Sequence, residues 1–596
     1  MDMLLRNVTI ADLAEMLERH KRRSPAPYLK DTAIIRQARR RARQSGLWDR
    51  LDGLNTAGDI PVIRRSDWRQ YRRTGDRDIG QGKIFFRRNA LSQAALALWL
   101  NHPAASVDYL QDLLWAVCEE TDWRLPAHER ERAPIDLVCA ERGATLAEIL
   151  FTVGDRLEDE VKRRVRDEIE RRIFRRYWDW TNLDFWKTKE NNWNHVCNGS
   201  IIRTALYLVE DAWTLAHMIH GLIQNMTYGL DAFADDGGCR EGPGYWGYGF
   251  GHYLYAAYAL YLRTGHELNI MTDEKIPKIC RYPLASAIEG PFRATFADSG
   301  HGRLPATLAL LVNKFHDIPE LFELCSARED GALNLADMHD LCLYQGQKAT
   351  GAPDQRDSVL PSLGQVKLRG KPGKGQITFM ALAGNNGVPH NHNDIGTFIV
   401  YRNGRLLLTD PGGPVYTRKT FSPERYEILF CNSLGHSVPI INGRQQSDGS
   451  RYYGTLKVRN LNGSGVKTAV IQMARAYPRG TVGKLTRQFD LDPRANTLCL
   501  TDTYVFARPP KAIEEGFVTY EPARVTARGR AVRIGPARDG LWLSADDTPG
   551  RFTIRPMTKA SREGHNPGVL KRIVFTPANL EKTMILRFRM DPGPRS

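Results

Sequence analysis

The chain has 596 residues, too many for a single hydrophobic core, so about two to four domains are expected. Its 84 Lys+Arg against 68 Asp+Glu give a net charge of +16, which favours an acidic partner: nucleic acid, anionic lipid or a polyanionic substrate. No zinc-finger spacing or RNA-recognition signature accompanies that charge, and nine scattered cysteines without a CxxC pair exclude a disulfide framework.

In chain order, the start Met1-Asp2-Met3-Leu4-Leu5-Arg6 lacks the basic-then-apolar pattern of a secretory signal. The chain is therefore expected to be cytoplasmic, or periplasmic or secreted with its signal already removed. No apolar run is long enough to span a membrane. The densest basic run, Arg36 to Arg43, reads as a solvated helix face. From Ile149 an apolar residue recurs every fourth position through Val153, Leu157, Val161, Val165, Ile169 and Ile173, which predicts one long helix. Further helices are expected around 91–102, 106–119, 199–230, 249–264 and 304–315. Consecutive amphipathic helices with few strand signals between them predict packed helical hairpins, as a bundle, solenoid or toroid.

Near residue 350 the period changes to two. Gln376–Ala383, Thr397–Asp410, Thr497–Phe506 and Thr583–Met590 read as strands, and Asn403-Gly404 marks a hairpin turn. An antiparallel sandwich is expected after a linker-like stretch, Gly351 to Asp357. The predicted organisation is an α+β multidomain chain: an extension over 1–85, a helical domain over 86–350 and a β-sandwich over 351–596.

Three segments carry chemistry-bearing residues. Asn191 to Gly199 (NNWNHVCNG) packs four Asn, a Trp and a His into nine residues ahead of a helix. Amides in such a block can bind a carboxylate, and Asn is equally a good helix cap. Asp235 to Gly249 combines glycines with Tyr245, Trp246 and Tyr248, and an Arg near a tyrosine hydroxyl favours acid–base use. The third segment is His390-Asn391-His392-Asn393-Asp394, followed by Asp410 and His436. In a strand His390 and His392 would share a face, and with a carboxylate and a third histidine they form a zinc-type donor set.

In this order the three segments resemble those of the heparinase II/III superfamily of polysaccharide lyases, over roughly residues 90 to 450. The resemblance implies an incomplete (α/α) toroid followed by an antiparallel β-sandwich. It also implies β-elimination at a uronic acid, in which a neutraliser binds the C5 carboxylate, a base removes the C5 proton and an acid protonates the departing O4. Carried onto this sequence, the neutraliser is Asn192 or Asn198, the tyrosine is Tyr248 or Tyr245 with Tyr248 favoured, and His390 is the catalytic histidine. Trp193, His195, Arg240, Glu241, Trp246 and Tyr416 are the implied substrate contacts. His392, Asp410 and His436 are the implied ligands of a structural zinc ion.

The expected partner is thus an acidic polysaccharide, with neither nucleic acid nor a membrane required. Two other readings stay open at this level. One is a glycoside hydrolase on an α/α toroid, which needs two carboxylates flanking the cleaved bond. The other is a non-catalytic protein that binds acidic glycans.

Overall fold

The computed structural model describes residues 4–5, 7–54, 58–129, 134–179, 181, 184–300, 302–325, 333–348, 356–545 and 547–592. The chain divides into two compact units. The first comprises Met1–Ala232, Trp246–Pro277 and Leu304–Thr350, and the second Phe233–Tyr245, Lys278–Arg303 and Gly351–Ser596.

The first unit is helical. Its helices begin where the sequence offers side-chain caps: Asp136 accepts from Cys139 N (2.8 Å) at the head of Leu137–Val153, and Asp211 accepts from Thr214 N (2.7 Å) at the head of Ala212–Gly229. Helix Asn192–Leu208 packs against Leu137–Val153, Ala212–Gly229 and Gly251–Arg263, and is buried along most of its length. Residues before 86 are no separate extension, since helix Ile10–Arg19 packs on Ala212–Gly229. In helix Thr32–Gln44, Ala38 and Ala42 are buried while Arg36, Arg40 and Arg43 face solvent, as a solvated basic face should.

The four-residue apolar stripe is buried from Ile149 to Ile173, but it does not lie on one helix. The first helix ends at Val153, a tight turn spans Gly154–Arg156, Leu157 is extended, and a new helix runs Asp159–Ile169 into a π-turn at Glu170–Phe174. Gly154 weakens the helix, and Asp159 and Glu160 favour a new N-terminus, so local chemistry breaks the element while its burial pattern persists. Likewise 199–230 is two helices, separated where Asp211 caps the second. No helix among the described residues is long and apolar enough to cross a membrane.

The second unit is built of antiparallel sheets. Five strands, Ser358–Leu360, Gln365–Arg369, Ile377–Leu382, Phe398–Arg402 and Arg405–Leu408, form a meander in chain order. The expected turn joins the last two, with Asn403 and Gly404 at φ 48° and 80°. An eight-stranded sheet centres on Thr583–Asp591, Thr497–Val505 and Lys484–Asp492, and a four-stranded sheet on Lys571–Pro577 and Ile513–Thr519. Phe379 and Phe398 of the meander meet Phe489 of the large sheet, and Phe517, Phe552, Phe575 and Phe588 complete one apolar core.

Two stretches that the sequence assigned to the helical domain, Phe233–Tyr245 and Lys278–Arg303, pack with the sheets instead. The hairpin Ala287–Glu289/Phe292–Arg293 explains the second. Ile288, Ala294 and Phe296 around it bury against Met380, Ile399 and Tyr401 on a face of the meander. The linker-like residues 351–355 lie outside the described residues. All nine cysteines are free.

Candidate active site

Within the second unit, polar groups converge on Asp298. Its loop is held by Thr295, whose hydroxyl donates to the Asp410 carbonyl (2.7 Å). Glycines make the approach of neighbouring chain possible. A Cβ on Gly412 (φ 73°) would fall 2.4 Å from Ser299 O, and one on Gly242 (φ 99°) would fall 2.5 Å from Ser299 Oγ. The glycines of the Asp410-Pro411-Gly412-Gly413 and Glu241-Gly242-Pro243-Gly244 motifs therefore press both segments onto the loop that carries Asp298.

The Asp298 side chain is fully buried and accepts from His390 Nδ1 (2.8 Å), His392 Nε2 (3.0 Å), Arg425 Nη2 (2.8 Å) and the Tyr416 hydroxyl (2.9 Å). Burial alone would raise its pKa. Hydrogen bonds from the two histidines and the charge of Arg425 outweigh that and hold the carboxyl well below its ordinary range.

The Tyr245 ring stacks on His390, with centroids 4.2 Å apart, and its hydroxyl lies 2.6 Å from that of Tyr416. Burial and then the Asp298 charge raise the pKa of both tyrosines. His390 Nε2 lies 3.5 Å from Glu241 Oε2. Phe421, 54% exposed, stands edge-on to both His390 and Tyr416 and is the most accessible ring of the group.

The His390-Asn391-His392 segment is not a strand: His390 has φ 59°, in the left-handed region. The two histidines consequently have different surroundings. The His390 side chain is 14% exposed, whereas those of His392, Asp410 and His436 are completely enclosed, each offering a ligand atom within 4.8 Å of the others. His436 Nε2 donates to the Phe430 carbonyl (2.9 Å), leaving Nδ1 toward Asp410 Oδ2 (2.9 Å). Burial pushes His436 down, but Asp410 and Asp394 prevail and lift its pKa to about 9; burial and the Asp410 charge raise Asp394 to about 7. His392 Nδ1 and Asp394 Oδ2 are buried without a hydrogen-bond partner among the described residues. Two imidazoles, one or two carboxylates and an orphaned ring nitrogen fit a divalent transition ion. Asp298, His392 and Cys431 form a second close set, but burial pushes the Cys431 thiol up to about 12 and Asp298 is already fully engaged.

The first unit treats its predicted residues differently. Asn191 is the cap of helix Asn192–Leu208. Asn194 Nδ2 donates to the carbonyls of Trp186, Lys187 and Asn225, and Asn198 donates to Asn194 O and accepts from Asn225 Nδ2. Asn192 is 5% exposed at the first turn, and Asn198 is fully enclosed with its amide engaged at both ends. His195 is 1% exposed against Tyr253 and Phe250, 3.2 Å from the Met226 carbonyl; burial lowers its pKa to about 4. Trp246, also 1% exposed, packs on Phe250. As substrate contacts, His195 and Trp246 are corrected to core residues, because neither presents surface. Trp193 is half-buried between His128 and Phe185. Tyr248 is half-buried in this unit, hydrogen-bonded to Glu141 and edge-on to His252, and burial and Glu141 raise its pKa.

Thus the structure brings together His390, Tyr245, Tyr416, Glu241, His392, Asp410 and His436, with half-buried Arg240 beside Glu241 in the same unit. Sequence reasoning missed Asp298, Arg425, Asp394 as a neighbour of His436, and Phe421. Only Asp394 carried a signal, its place two residues after His392.

The profile described as Heparinase II/III-like, C-terminal, matches residues 352–573. The matched residues belong to the β-rich unit, so the likeness to that family covers the sheets alone. Solved structures extend the likeness beyond those residues. A heparinase III is similar with a TM-score of 0.63 at 13% identity, over 88% of this chain and 79% of that one. A mutant heparan sulfate lyase from Pedobacter heparinus gives 0.59 at 12%, over 98% and 88%. The chondroitin AC lyase of Streptomyces coelicolor A3 gives 0.53 at 11%, over 96% and 83%. These likenesses show the fold of the heparinase-like chain: a helical N-terminal region followed by antiparallel sheets. No curated protein matches its sequence.

Proposed function

We propose that the protein is a polysaccharide lyase that cleaves a uronate-containing acidic glycan by β-elimination. The observation that carries this reading is the stack of Tyr245 on His390, backed by the buried Asp298 carboxylate, with His390 inside the segment that matches a heparinase-like profile.

In the proposed reaction a base takes the C5 proton, the C4=C5 double bond forms, the C4–O4 bond breaks and O4 leaves with a proton. His390 Nε2 and the Tyr245 hydroxyl are the two proton carriers, and the configuration at C5 decides whether they share the work. Tyr245 replaces Tyr248 as the favoured tyrosine, since it shares the hydrogen-bonded group of His390. Phe421 is proposed as a sugar platform and the net charge of +16 as the source of polyanion attraction.

Zinc is the proposed metal, held by His392, Asp410 and His436, where it would pin the loop after His390 by joining it to two other segments. A hydrolase would need two carboxylates placed about a glycosidic bond. Of the two beside His390, Asp298 is buried and committed to hydrogen bonds, which favours the lyase.

The test is ultraviolet absorbance of a 4,5-unsaturated product across heparin, heparan sulfate, chondroitin, hyaluronan, alginate and bacterial exopolysaccharides. At least one polymer should give a rise that Tyr245→Phe abolishes. Reducing ends released without that absorbance would favour a hydrolase, and binding without turnover a glycan-binding protein.

A further inference from the structure

We propose that Asp298 is a positioning residue that sets the tautomers of both histidines, reserving His390 Nε2 for the substrate and His392 Nδ1 for a metal ion. The catalytic half rests on the lyase reading above; the metal half does not.

An imidazole nitrogen at hydrogen-bond distance from a carboxylate carries its proton there. Asp298 Oδ2 takes His390 Nδ1 at 2.8 Å, and Oδ1 takes His392 Nε2 at 3.0 Å. The opposite nitrogens are thereby assigned as lone pairs in the neutral rings. That of His390 faces Glu241 Oε2 at 3.5 Å, while that of His392 is buried and lacks a hydrogen-bond donor among the described residues. A buried acceptor left without a donor is costly, and a bound cation removes that cost.

The carboxylate cannot turn away from this task. Arg425 Nη2 adds a second donor to Oδ1 (2.8 Å) and Tyr416 a second to Oδ2 (2.9 Å). Arg425 also donates to the carbonyl of Asn391 (3.1 Å), the residue between the histidines, so one guanidinium clamps the carboxylate to the loop it orients. The left-handed backbone at His390 is the local strain that accompanies the arrangement, in which both rings reach one carboxylate.

This geometry makes Asp298→Asn an asymmetric probe. The amide NH2 cannot face Arg425, which has only donors to offer, so it must replace Oδ2 and face His390 and Tyr416. His390 is then driven to the opposite tautomer, with Nε2 protonated, while His392 retains its acceptor. Asp298→Ala removes both acceptors.

The experiment measures kcat, KM, zinc affinity by chelator competition, and melting temperature for the full chain and both variants. It adds histidine 15N shifts of the wild type, assigned with His390→Gln and His392→Gln. For Asp298→Asn, kcat should fall by ~10²-fold or more with KM and zinc affinity changed less than about threefold. For Asp298→Ala, zinc affinity should fall as well, by roughly 10–100-fold. Asp298→Asn with kcat within about threefold of wild type would overturn the catalytic half. Unchanged zinc affinity in Asp298→Ala, or no zinc binding by the wild type, would overturn the metal half. Should the variants fail to fold, the wild-type spectrum decides: Nδ1-protonated His390 and Nε2-protonated His392 support the proposal, and the reverse refutes it. If no polymer is turned over by the wild type, the lyase reading falls, while the spectrum and the zinc measurements still judge Asp298.

Discussion

The asparagine block of the first unit and the Asp298 group of the second are equally dense in polar side chains, yet they solve different problems. In the block, neutral amides spend their donors on backbone carbonyls: Asn194 alone ties its helix to Trp186, Lys187 and Asn225. In the Asp298 group the partners are charged or titratable side chains, and some functional atoms remain uncommitted, notably His392 Nδ1. Amide donors spent on backbone carbonyls mark a structural cluster, although Asn194 Oδ1 too lacks a hydrogen-bond partner among the described residues; pairing among charged and titratable side chains marks a chemical one.

The strongest way to break this comparison is to remove chemistry without removing structure. His390→Ala should lower turnover of the responsive polymer by ~10²–10⁴-fold while leaving the melting temperature nearly unchanged. Retained turnover together with a large loss of stability would place His390 on the structural side. Removing the metal tests the enclosed half of the same group. Dialysis against a chelator should cost roughly 3–4 kcal/mol relative to zinc-saturated protein, read from denaturant melts. His436→Ala should reproduce that loss and become indifferent to the chelator.

Asn194→Ala provides the opposite case. It removes an amide that bridges three backbone carbonyls, and the expected cost is roughly 1–3 kcal/mol of stability, with kcat unaltered in the protein that remains folded. A selective loss of kcat at unchanged stability would instead move the asparagine block to the chemical side.

These two clusters also differ in how far the sequence reveals them. The change of period near 350 and the Asn403-Gly404 turn predict the sheets closely, because alternation and positive-φ turns are local properties. His390, His392, Asp410 and His436 are legible as a group because their spacing is short. Asp298 is not: it lies 92 residues before His390 and 127 before Arg425, and an isolated aspartate followed by Ser and Gly reads as a turn. The asparagine block misleads in the other direction. Its composition suggests a ligand site, whereas Asn194 is occupied by backbone carbonyls of the preceding turn and of Asn225, which side-chain patterns do not encode. The choice between Tyr245 and Tyr248 likewise turns on tertiary partners, since both sit in one glycine-rich motif.

The smallest expected effect concerns His195, the histidine of the asparagine block. Its folded pKa of about 4 lies below the ordinary histidine value because burial disfavours the imidazolium. The unfolded chain therefore binds more protons between the two values. The stability tied to keeping this ring neutral is fully present above pH ~6.5 and is lost as pH falls toward 4, by on the order of 2–3 kcal/mol in all. His195→Gln should leave stability at pH 7 little changed, since an amide can still donate to the Met226 carbonyl, and should flatten the acid limb of the stability curve. The measurement is a series of denaturant melts from pH 7 to pH 4. An acid limb equally steep in the variant would mean that other groups set it, and that the asparagine block is not built around a neutral histidine.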